Sequence, residues 1–257
     1  MCELFGVCGQ HRLYLNEYLR TFYGHCDKHP HGWGLAIMNG NDAVIEKESK
    51  KASKSEVLKE RLRHTMKEKT VLAHIRYATI GNVELWNCHP YTAIDESGRR
   101  WTMIHNGTIF EYEGLDKYSR IQSGDTDSER ILLYIIDRMN QAAEKKGRAL
   151  NPVERFQVLD SIFPDLAVGN KLNILLYDGE QMYVHTNCRK TLYYLHKDEA
   201  YFFATVPLTD DDWQPVPFTQ LLGYRDGMHV YEGQIHGNEY VDDPENYKYL
   251  YQIFADL

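Results

Sequence analysis

Several features that would point to particular classes of protein are missing from this sequence. It has no apolar run near the roughly 20 residues that a membrane-spanning helix needs. Its opening residues, Met1-Cys2-Glu3-Leu4-Phe5, lack both the basic start and the long apolar core of a signal peptide. We therefore expect a protein without a membrane anchor that works in the cytoplasm.

Charge and cysteine spacing exclude further classes. The formal net charge is -8 and acidic and basic residues are mixed along the chain, so no basic surface is available to bind nucleic acid. The five cysteines are irregularly spaced, which argues against a disulfide framework. These absences leave a small molecule or another protein as the expected partner.

The composition is typical of a folded globular protein. Hydrophobic residues make up 43% of the 257 residues and include many large aromatics, which is enough for a substantial core. No Gly/Ser/Pro-rich linker or repeat divides the sequence. We expect one domain over residues 1–257, with a short carboxyl-terminal extension after about residue 210.

Periodicity and capping residues predict both helices and strands. The clearest helix begins at Thr126-Asp127-Ser128-Glu129, a capping box followed by apolar residues at spacings of three and four, and a second helix begins at Pro152. A similar signature predicts a helix from Ser53 to about Lys67. Short strands separated by turn formers fill residues 173–205. The pattern predicts an α+β fold of stacked, mainly antiparallel sheets and helices.

A cysteine at position two has a chemical capability that other positions lack. Removal of Met1 leaves one residue with both a thiol and a free α-amine. Because that amine titrates at about 7.7 to 8.0, it can accept the thiol proton near neutral pH. On position alone, the plainer interpretation is that Cys2 merely begins an apolar strand.

Five motifs accompany Cys2 in a fixed order. They are Gly32-Trp33-Gly34, His74-Ile75-Arg76-Tyr77-Ala78-Thr79, Asn87-Cys88-His89-Pro90, His105-Asn106-Gly107 and Gly124-Asp125-Thr126-Asp127-Ser128-Glu129. With Cys2, this ordered set resembles the class II glutamine amidotransferases over residues 2–205. The resemblance implies the four-layer αββα sandwich of the amino-terminal-nucleophile hydrolases, with no cofactor and no metal.

The resemblance also implies the catalytic residues Cys2, Asn106 and Gly107. The Cys2 thiolate would attack the γ-carboxamide of glutamine and form a thioester, releasing ammonia and then glutamate. The Asn106 side-chain amide and the Gly107 backbone N–H would stabilise the oxyanion, because both follow a predicted strand that ends in a cleft. Without that context, Asn106-Gly107 is typical of a hairpin turn.

Four residues are implied to bind the substrate. The planar guanidinium of Arg76 suits the α-carboxylate of glutamine, and Asp127 would receive the α-ammonium group. Thr79 and His89 would lie near the pocket, with His89 supporting a loop rather than transferring protons. The alternatives are a surface ion pair for Arg76 and a helix-dipole role for Asp127.

The acceptor of the ammonia stays open. One alternative is an ammonia donor that docks on a partner synthase. The other is a hydrolase of γ-glutamyl amides other than glutamine. Self-association into a homodimer is compatible with either alternative. An inactive interaction domain is disfavoured because Cys2, Arg76 and Asn106 are all present.

A metal protein is a further alternative. His25, Cys26, His29 and His31 are crowded in sequence, and Cys88-His89 lies downstream. Their spacing matches no zinc template, because paired Cys-x-x-Cys or His-x-x-x-His elements with a matched second half are missing.

Overall fold

Strands dominate the fold, and helices cover them. The computed structural model of the chain describes residues 2–110 and 112–243. Its strands are β1 (Glu3–Tyr14), β2 (Trp33–Asn39), β3 (Asp42–Glu48), β4 (Lys67–Ile75), β5 (Tyr91–Ile94), β6 (Arg100–Thr108), β7 (Lys171–Tyr177), β8 (Met182–Thr186), β9 (Tyr193–Lys197), β10 (Ala200–Ala204), β11 (Gln214–Pro215), β12 (Gln220–Arg225) and β13 (Met228–Glu232). Its α-helices are α1 (Asn16–Gly24), α2 (Glu56–Arg63), α3 (Asp127–Lys146) and α4 (Pro152–Ala167). Short 3-10 helices cover His25–Lys28, Ala52–Lys54, Leu85–Asn87 and Glu113–Arg120.

The strands form two antiparallel sheets. The first has the order β11-β9-β10-β1-β4-β2-β3, and the second has the order β13-β12-β8-β7-β6-β5. In the first sheet, β1 pairs with β4 in a register that sets Glu3 opposite Ile75. The residue that precedes β1 therefore lies beside the residues that follow β4.

Alternation of side chains across the strands builds the core in layers. The faces that the two sheets turn toward each other share one apolar cluster, which includes Leu4, Leu72, Ile104 and Leu175. Helices α1 and α2 pack on the outer face of the first sheet, and α3 and α4 pack on the outer face of the second. This confirms the expected αββα sandwich.

The start of β1 is fixed by a residue far away in sequence. The backbone N–H of Leu4 donates to the Thr205 hydroxyl at 2.8 Å, and the Thr205 N–H donates to the Leu4 carbonyl at 3.1 Å. Thr205 directly follows β10, the neighbour of β1. The position of residue 2 thus depends on a strand that forms near residue 200.

The helix predicted from Ser53 begins later, at Glu56, and ends at Arg63. Ser55 caps it, because its hydroxyl accepts the Leu58 N–H at 3.0 Å, whereas Ser53 lies in the preceding 3-10 turn. The predicted end near Lys67 is also wrong, since Lys67 begins β4.

Two sequence-based expectations concern the chain as a whole. Within residues 2–110 and 112–243, every helix is too short or too polar to cross a bilayer. Residues beyond 210 supply β11, β12 and β13 to the two sheets. The organisation of residues 1–257 as one domain stays a prediction.

Candidate active site

Cys2 lies beside the end of β4. Its Sγ accepts the backbone N–H of Tyr77 at 3.3 Å and lies 3.4 Å from the Tyr77 carbonyl oxygen. Leu4 faces the space between the sheets, so Cys2, two residues earlier, projects into the same space. The thiol is therefore held at the edge of the sandwich interior.

The surroundings of Cys2 keep its thiol protonated at neutral pH. Burial raises the pKa of the Cys2 thiol, and the charge of Asp127 adds to that effect, while the Tyr77 backbone and Arg76 oppose it. Since burial has the largest effect, the thiol needs a nearby base to become a nucleophile. Met1, whose removal would free the α-amine, lies outside the described residues.

Arg76 is buried and tied to the loop that follows β4. Its guanidinium donates to the carbonyls of Ile80, Gly81 and Asn82 at 2.8 to 2.9 Å. Only 3% of its surface is exposed, so the surface ion pair considered for Arg76 is wrong. The fork-shaped group fixes the shape of the loop beside Cys2.

Asn106 and Gly107 lie inside β6 rather than after a strand, and they do not form a hairpin turn. Gly107 pairs with Leu172 of β7. A Cβ at Gly107 would lie 1.9 Å from the Lys171 carbonyl oxygen, so only glycine fits. The expectation that the motif follows a strand is wrong, because β6 continues to Thr108.

The Asn106 side chain faces the space between the sheets. Ile104 belongs to the inter-sheet cluster, so Asn106, two residues on, projects from the same face as Ile104. β6 contacts β1 and β4 across the sandwich. Asn106 is 3% exposed, and its amide makes no hydrogen bond within residues 2–110 and 112–243. Its two N–H groups are therefore available to a ligand.

Each polar residue at the start of α3 holds a different part of the site. Thr126 caps the helix by accepting the Glu129 N–H, and the Glu129 carboxylate accepts the N–H groups of Ser123 and Gly124. The Asp127 carboxylate accepts the N–H of Ile109 at 2.7 Å and that of Ser128 at 2.9 Å. Asp127 is 4% exposed.

His105 lies on β6 and joins α3 to the neighbouring strand β7. Its Nε2 lies 3.1 Å from the Lys171 carbonyl oxygen and its Nδ1 lies 3.0 Å from the Ser128 hydroxyl. Because a carbonyl only accepts, Nε2 carries the proton and Nδ1 accepts from Ser128. Burial lowers the pKa of His105, which keeps the ring neutral. This ring braces the strand that carries Asn106.

Thr79 and His89 lie on separate loops. Thr79 is half-buried in the loop that follows β4. His89 is buried, and its ring lies against that of His74, with centroids 4.1 Å apart and the ring planes tilted by 34°. Burial, followed by the charge of His74, lowers the pKa of His89 well below its usual value. The roles of Thr79 and His89 toward a substrate stay predictions.

The residues of the metal alternative point to different neighbours. His25 and His29 turn toward Glu3, Cys26 packs in the core, and His31 accepts the Ala78 N–H at 2.9 Å. Across residues 2–110 and 112–243, no three His, Cys, Asp or Glu side chains are placed to share a metal ion.

The sequence reasoning missed several residues that shape the site. The Tyr77 backbone contacts the thiol, Ser128 bonds to the His105 ring, and Asn87 joins two loops. Asn87 and Ser128 lie in motifs that were noted, but residue type alone does not reveal partners that are distant in sequence.

Comparison with known sequences shows the family to which the chain belongs. A sequence model of the family described as glutamine amidotransferases class-II matches residues 1–231. YafJ of Escherichia coli is 30% identical over 72% of the chain and 69% of its own length. The glutamine–fructose-6-phosphate aminotransferase of Chlorobaculum tepidum is 30% identical over 70% of the chain, which spans 31% of that longer enzyme.

A solved structure has a similar fold. The crystal structure of a predicted glutamine amidotransferase from Pseudomonas aeruginosa matches with a TM-score of 0.65 and 20% identity. The match covers 90% of the chain and 100% of that protein. At this identity the likeness concerns the arrangement of the sheets and helices.

Proposed function

Because this chain belongs to the class II glutamine amidotransferases, we propose that it hydrolyses the γ-carboxamide of glutamine with Cys2 as the nucleophile. The observation that carries the proposal is the contact of Cys2 with the Tyr77 backbone, close enough to Arg76 and Asp127 that both charges act on its thiol. A nucleophile and two opposite charges suit an amino acid with a reactive side chain.

The first step needs the amino terminus that removal of Met1 creates. The free α-amine of Cys2 takes the thiol proton, and the sulfur then bonds to the carbonyl carbon (Cδ) of the γ-carboxamide of glutamine. The Tyr77 N–H, 3.3 Å from Sγ, stabilises the thiolate and offsets part of the cost of burying it. Nucleophile and base thus belong to one residue.

Asn106 and Gly107 then stabilise the tetrahedral intermediate. The carbonyl oxygen becomes an oxyanion, and the Asn106 amide and the Gly107 N–H donate to it. The carbon–nitrogen bond breaks, and ammonia leaves with the proton held by the Cys2 amine. Water, deprotonated by the same amine, cleaves the γ-glutamyl thioester, so that glutamine and water yield glutamate and ammonia.

Arg76 and Asp127 bind the other end of the substrate. Arg76 pairs with the α-carboxylate and Asp127 pairs with the α-ammonium group. Both side chains are already fixed by backbone groups, Arg76 by the 80–82 carbonyls and Asp127 by Ile109 and Ser128. This preorganisation reduces the entropy that substrate binding costs.

Alkylation by a diazo-ketone analogue of glutamine tests the proposal. The expected result, by intact mass and peptide mapping, is one adduct on Cys2 of a chain that lacks Met1, together with loss of glutamate release. The Cys2→Ala variant should carry no adduct, because Cys8, Cys26, Cys88 and Cys188 are buried. An adduct on another cysteine, or none on a processed and folded chain, contradicts the proposal.

The second candidate is hydrolysis of other γ-glutamyl amides. The loop that holds Arg76 continues into three apolar side chains that are 43% to 59% exposed, Val83, Leu85 and Trp86. An apolar group of a substrate larger than glutamine would find an apolar surface there. A higher kcat/KM for a γ-glutamyl anilide than for glutamine, reduced in Trp86→Ala, would favour this candidate.

We further propose that released ammonia is used by a synthase partner. The Chlorobaculum tepidum relative carries its aminotransferase activity in a longer chain, of which this chain spans 31%. Glutamate release that accelerates when a candidate synthase and its acceptor are added would support the partner. A rate that is unchanged by the synthase would favour a self-contained hydrolase.

A further inference from the structure

A single side-chain amide joins two loops of the candidate site. Asn87 has no exposed surface. Its Nδ2 donates to the Asn82 carbonyl at 3.0 Å, and its Oδ1 accepts the Asp125 N–H at 2.8 Å. Asn82 lies in the loop after β4, and Asp125 lies in the loop before α3.

Both loops lead directly to the residues that bind the ends of the substrate in the proposed function. The Asn82 carbonyl that Asn87 contacts also accepts from Arg76 Nη1 at 2.8 Å. Asp125 stands two residues before Asp127. The chain of bonds therefore runs from Arg76 through the Asn82 carbonyl and Asn87 to the segment that carries Asp127.

Two glycines form the slot in which the amide lies. A Cβ at Gly124 would lie 2.2 Å from the Asn87 Oδ1, and a Cβ at Gly81 would lie 3.0 Å from its Nδ2. Gly81 also has a φ of +77°, which favours glycine. The oxygen end of the Asn87 amide thus lies against Gly124 and the nitrogen end lies against Gly81, and a side chain at either glycine would crowd it.

We propose that Asn87 is a positioning residue that sets the spacing of Arg76 and Asp127, and so determines affinity for the free α-amino acid end of the substrate. The inference rests on the proposed function. Asn87 contacts neither Cys2 nor Asn106 through any hydrogen bond of the described chain. Its loss therefore acts on substrate binding rather than on the chemical step.

The Asn87→Asp variant tests the inference, because it keeps the size of the side chain and removes its donor. An oxygen then faces the Asn82 carbonyl and the Asp125 carboxylate, which Nδ2 approaches at 3.4 Å. We expect KM for glutamine to rise by about 10- to 100-fold, the effect of losing a buried hydrogen bond. We expect kcat to change by less than about threefold.

Two alkylating reagents separate positioning from general damage. The diazo-ketone analogue carries the α-amino acid end, whereas iodoacetamide does not. In Asn87→Asp, alkylation of Cys2 by the analogue should slow in proportion to the rise in KM, and alkylation by iodoacetamide should keep its wild-type rate. If both slow equally, or if kcat falls and KM does not change, the positioning role is overturned.

Asn41 provides a control for the same amide-to-acid change at an exposed position. Its amide also joins two backbone segments, donating to the Gly98 carbonyl at 2.9 Å and accepting the Arg100 N–H at 2.7 Å. It follows β2, at the opposite end of that strand from Gly32, whose carbonyl accepts the Arg76 N–H. Asn41→Asp should leave both KM and kcat unchanged.

A second variant covers the case in which Asn87→Asp does not fold. Asn87→Ser retains a small donor and should raise KM less than Asn87→Asp. Wild-type kinetics in Asn87→Ser and in any folded Asn87→Asp would overturn the inference and leave the proposed function intact. If the wild-type chain neither releases glutamate nor reacts with the analogue, the proposed function fails, and this inference fails with it.

Discussion

The carboxylate of Asp127 accepts the backbone N–H of Ile109 at 2.7 Å. Asp127 is the first residue of α3, and Ile109 directly follows β6, the strand that carries Asn106 and Gly107. One hydrogen bond thus fixes the proposed ammonium-binding group relative to the proposed oxyanion donors. A change at Asp127 or at Ile109 should therefore alter the positions of both the ammonium-binding group and the oxyanion donors.

Replacing Asp127 by alanine should weaken substrate binding. The variant loses the charge proposed to pair with the α-ammonium group and leaves the Ile109 N–H without its acceptor, and we expect kcat/KM to fall by the equivalent of about 2 to 4 kcal/mol. Steady-state release of glutamate measures the effect. Asp116→Ala, which removes an exposed carboxylate, is the control and should have wild-type kinetics. An unchanged kcat/KM for Asp127→Ala would remove Asp127 from the site.

Replacing Gly107 by alanine should prevent the folded site from forming. The added methyl group would overlap the Lys171 carbonyl, so β6 and β7 would have to separate. We expect no glutamate release and a loss of several kcal/mol in the free energy of unfolding, on the order of the largest single-site effects. Chemical denaturation and activity together measure this.

Gly24→Ala is the matched control for Gly107→Ala. Gly24 has helical dihedral angles and no atom within 4 Å of the site of the added methyl group. Alanine there should stabilise the protein by about 0.5 kcal/mol, because the unfolded chain becomes less flexible. If Gly107→Ala also stabilises the protein, the expected overlap of the added methyl group with the Lys171 carbonyl is wrong.

Replacing Arg76 by lysine should impair binding although the charge is kept. A single ammonium group cannot reach the three carbonyls that the guanidinium contacts. We expect kcat/KM for glutamine to fall by about 10- to 100-fold, mainly through KM. Arg63→Lys on the exposed side of α2 should have no effect. If Arg76→Lys has the kinetics of the wild-type chain, a positive charge at position 76 is sufficient for glutamine binding.

Acid should destabilise the fold through its buried neutral histidines. Burial, followed by the neighbouring His236, lowers the pKa of His185 to about 3. The unfolded chain has a histidine pKa near 6.5, so between about pH 3 and 6.5 the unfolded state binds more protons. The contribution of neutral His185 to the free energy of unfolding is complete above pH 6.5 and is lost as the pH falls below that value. Between pH 7.5 and 5.0 the loss from this residue is about 2 kcal/mol.

Urea denaturation at these two pH values tests the effect of His185. The His185→Gln variant should lose about 2 kcal/mol less than the wild-type chain between pH 7.5 and 5.0, whatever its absolute stability. His64→Gln, at a position with a side chain that is 73% exposed, should keep the wild-type difference. Identical pH dependence of all three proteins would contradict the lowered pKa.

Local patterns in the sequence were sufficient to predict elements that local interactions determine. Thr126 caps α3 through Glu129, three residues away, and the short strands of the second half alternate with turns. The cap of α2 was misplaced by two residues, because Ser53 and Ser55 are both good capping residues and only the structure shows that the buried Ser55 caps the helix.

The details of the site depend on contacts that sequence spacing does not contain. Asn106-Gly107 is a good turn sequence, yet it stays in β6 because β7 supplies a partner more than sixty residues away. Arg76 bonds to carbonyls only because its loop is folded back, and that loop is held by the contact of Asn87 with Asp125. Tertiary contacts therefore determine both the conformation of Asn106-Gly107 and the hydrogen bonds of Arg76.

The bond between Leu4 and Thr205 bears on synthesis of the protein. These residues are 201 positions apart, and translation delivers the amino-terminal end first. While the nascent chain is shorter than about 200 residues, β1 lacks β10 as a neighbour and Thr205 as an anchor. We therefore expect the thiol of a growing or truncated chain to gain its final position, and the proposed catalysis to begin, only after β10 and Thr205 have been made.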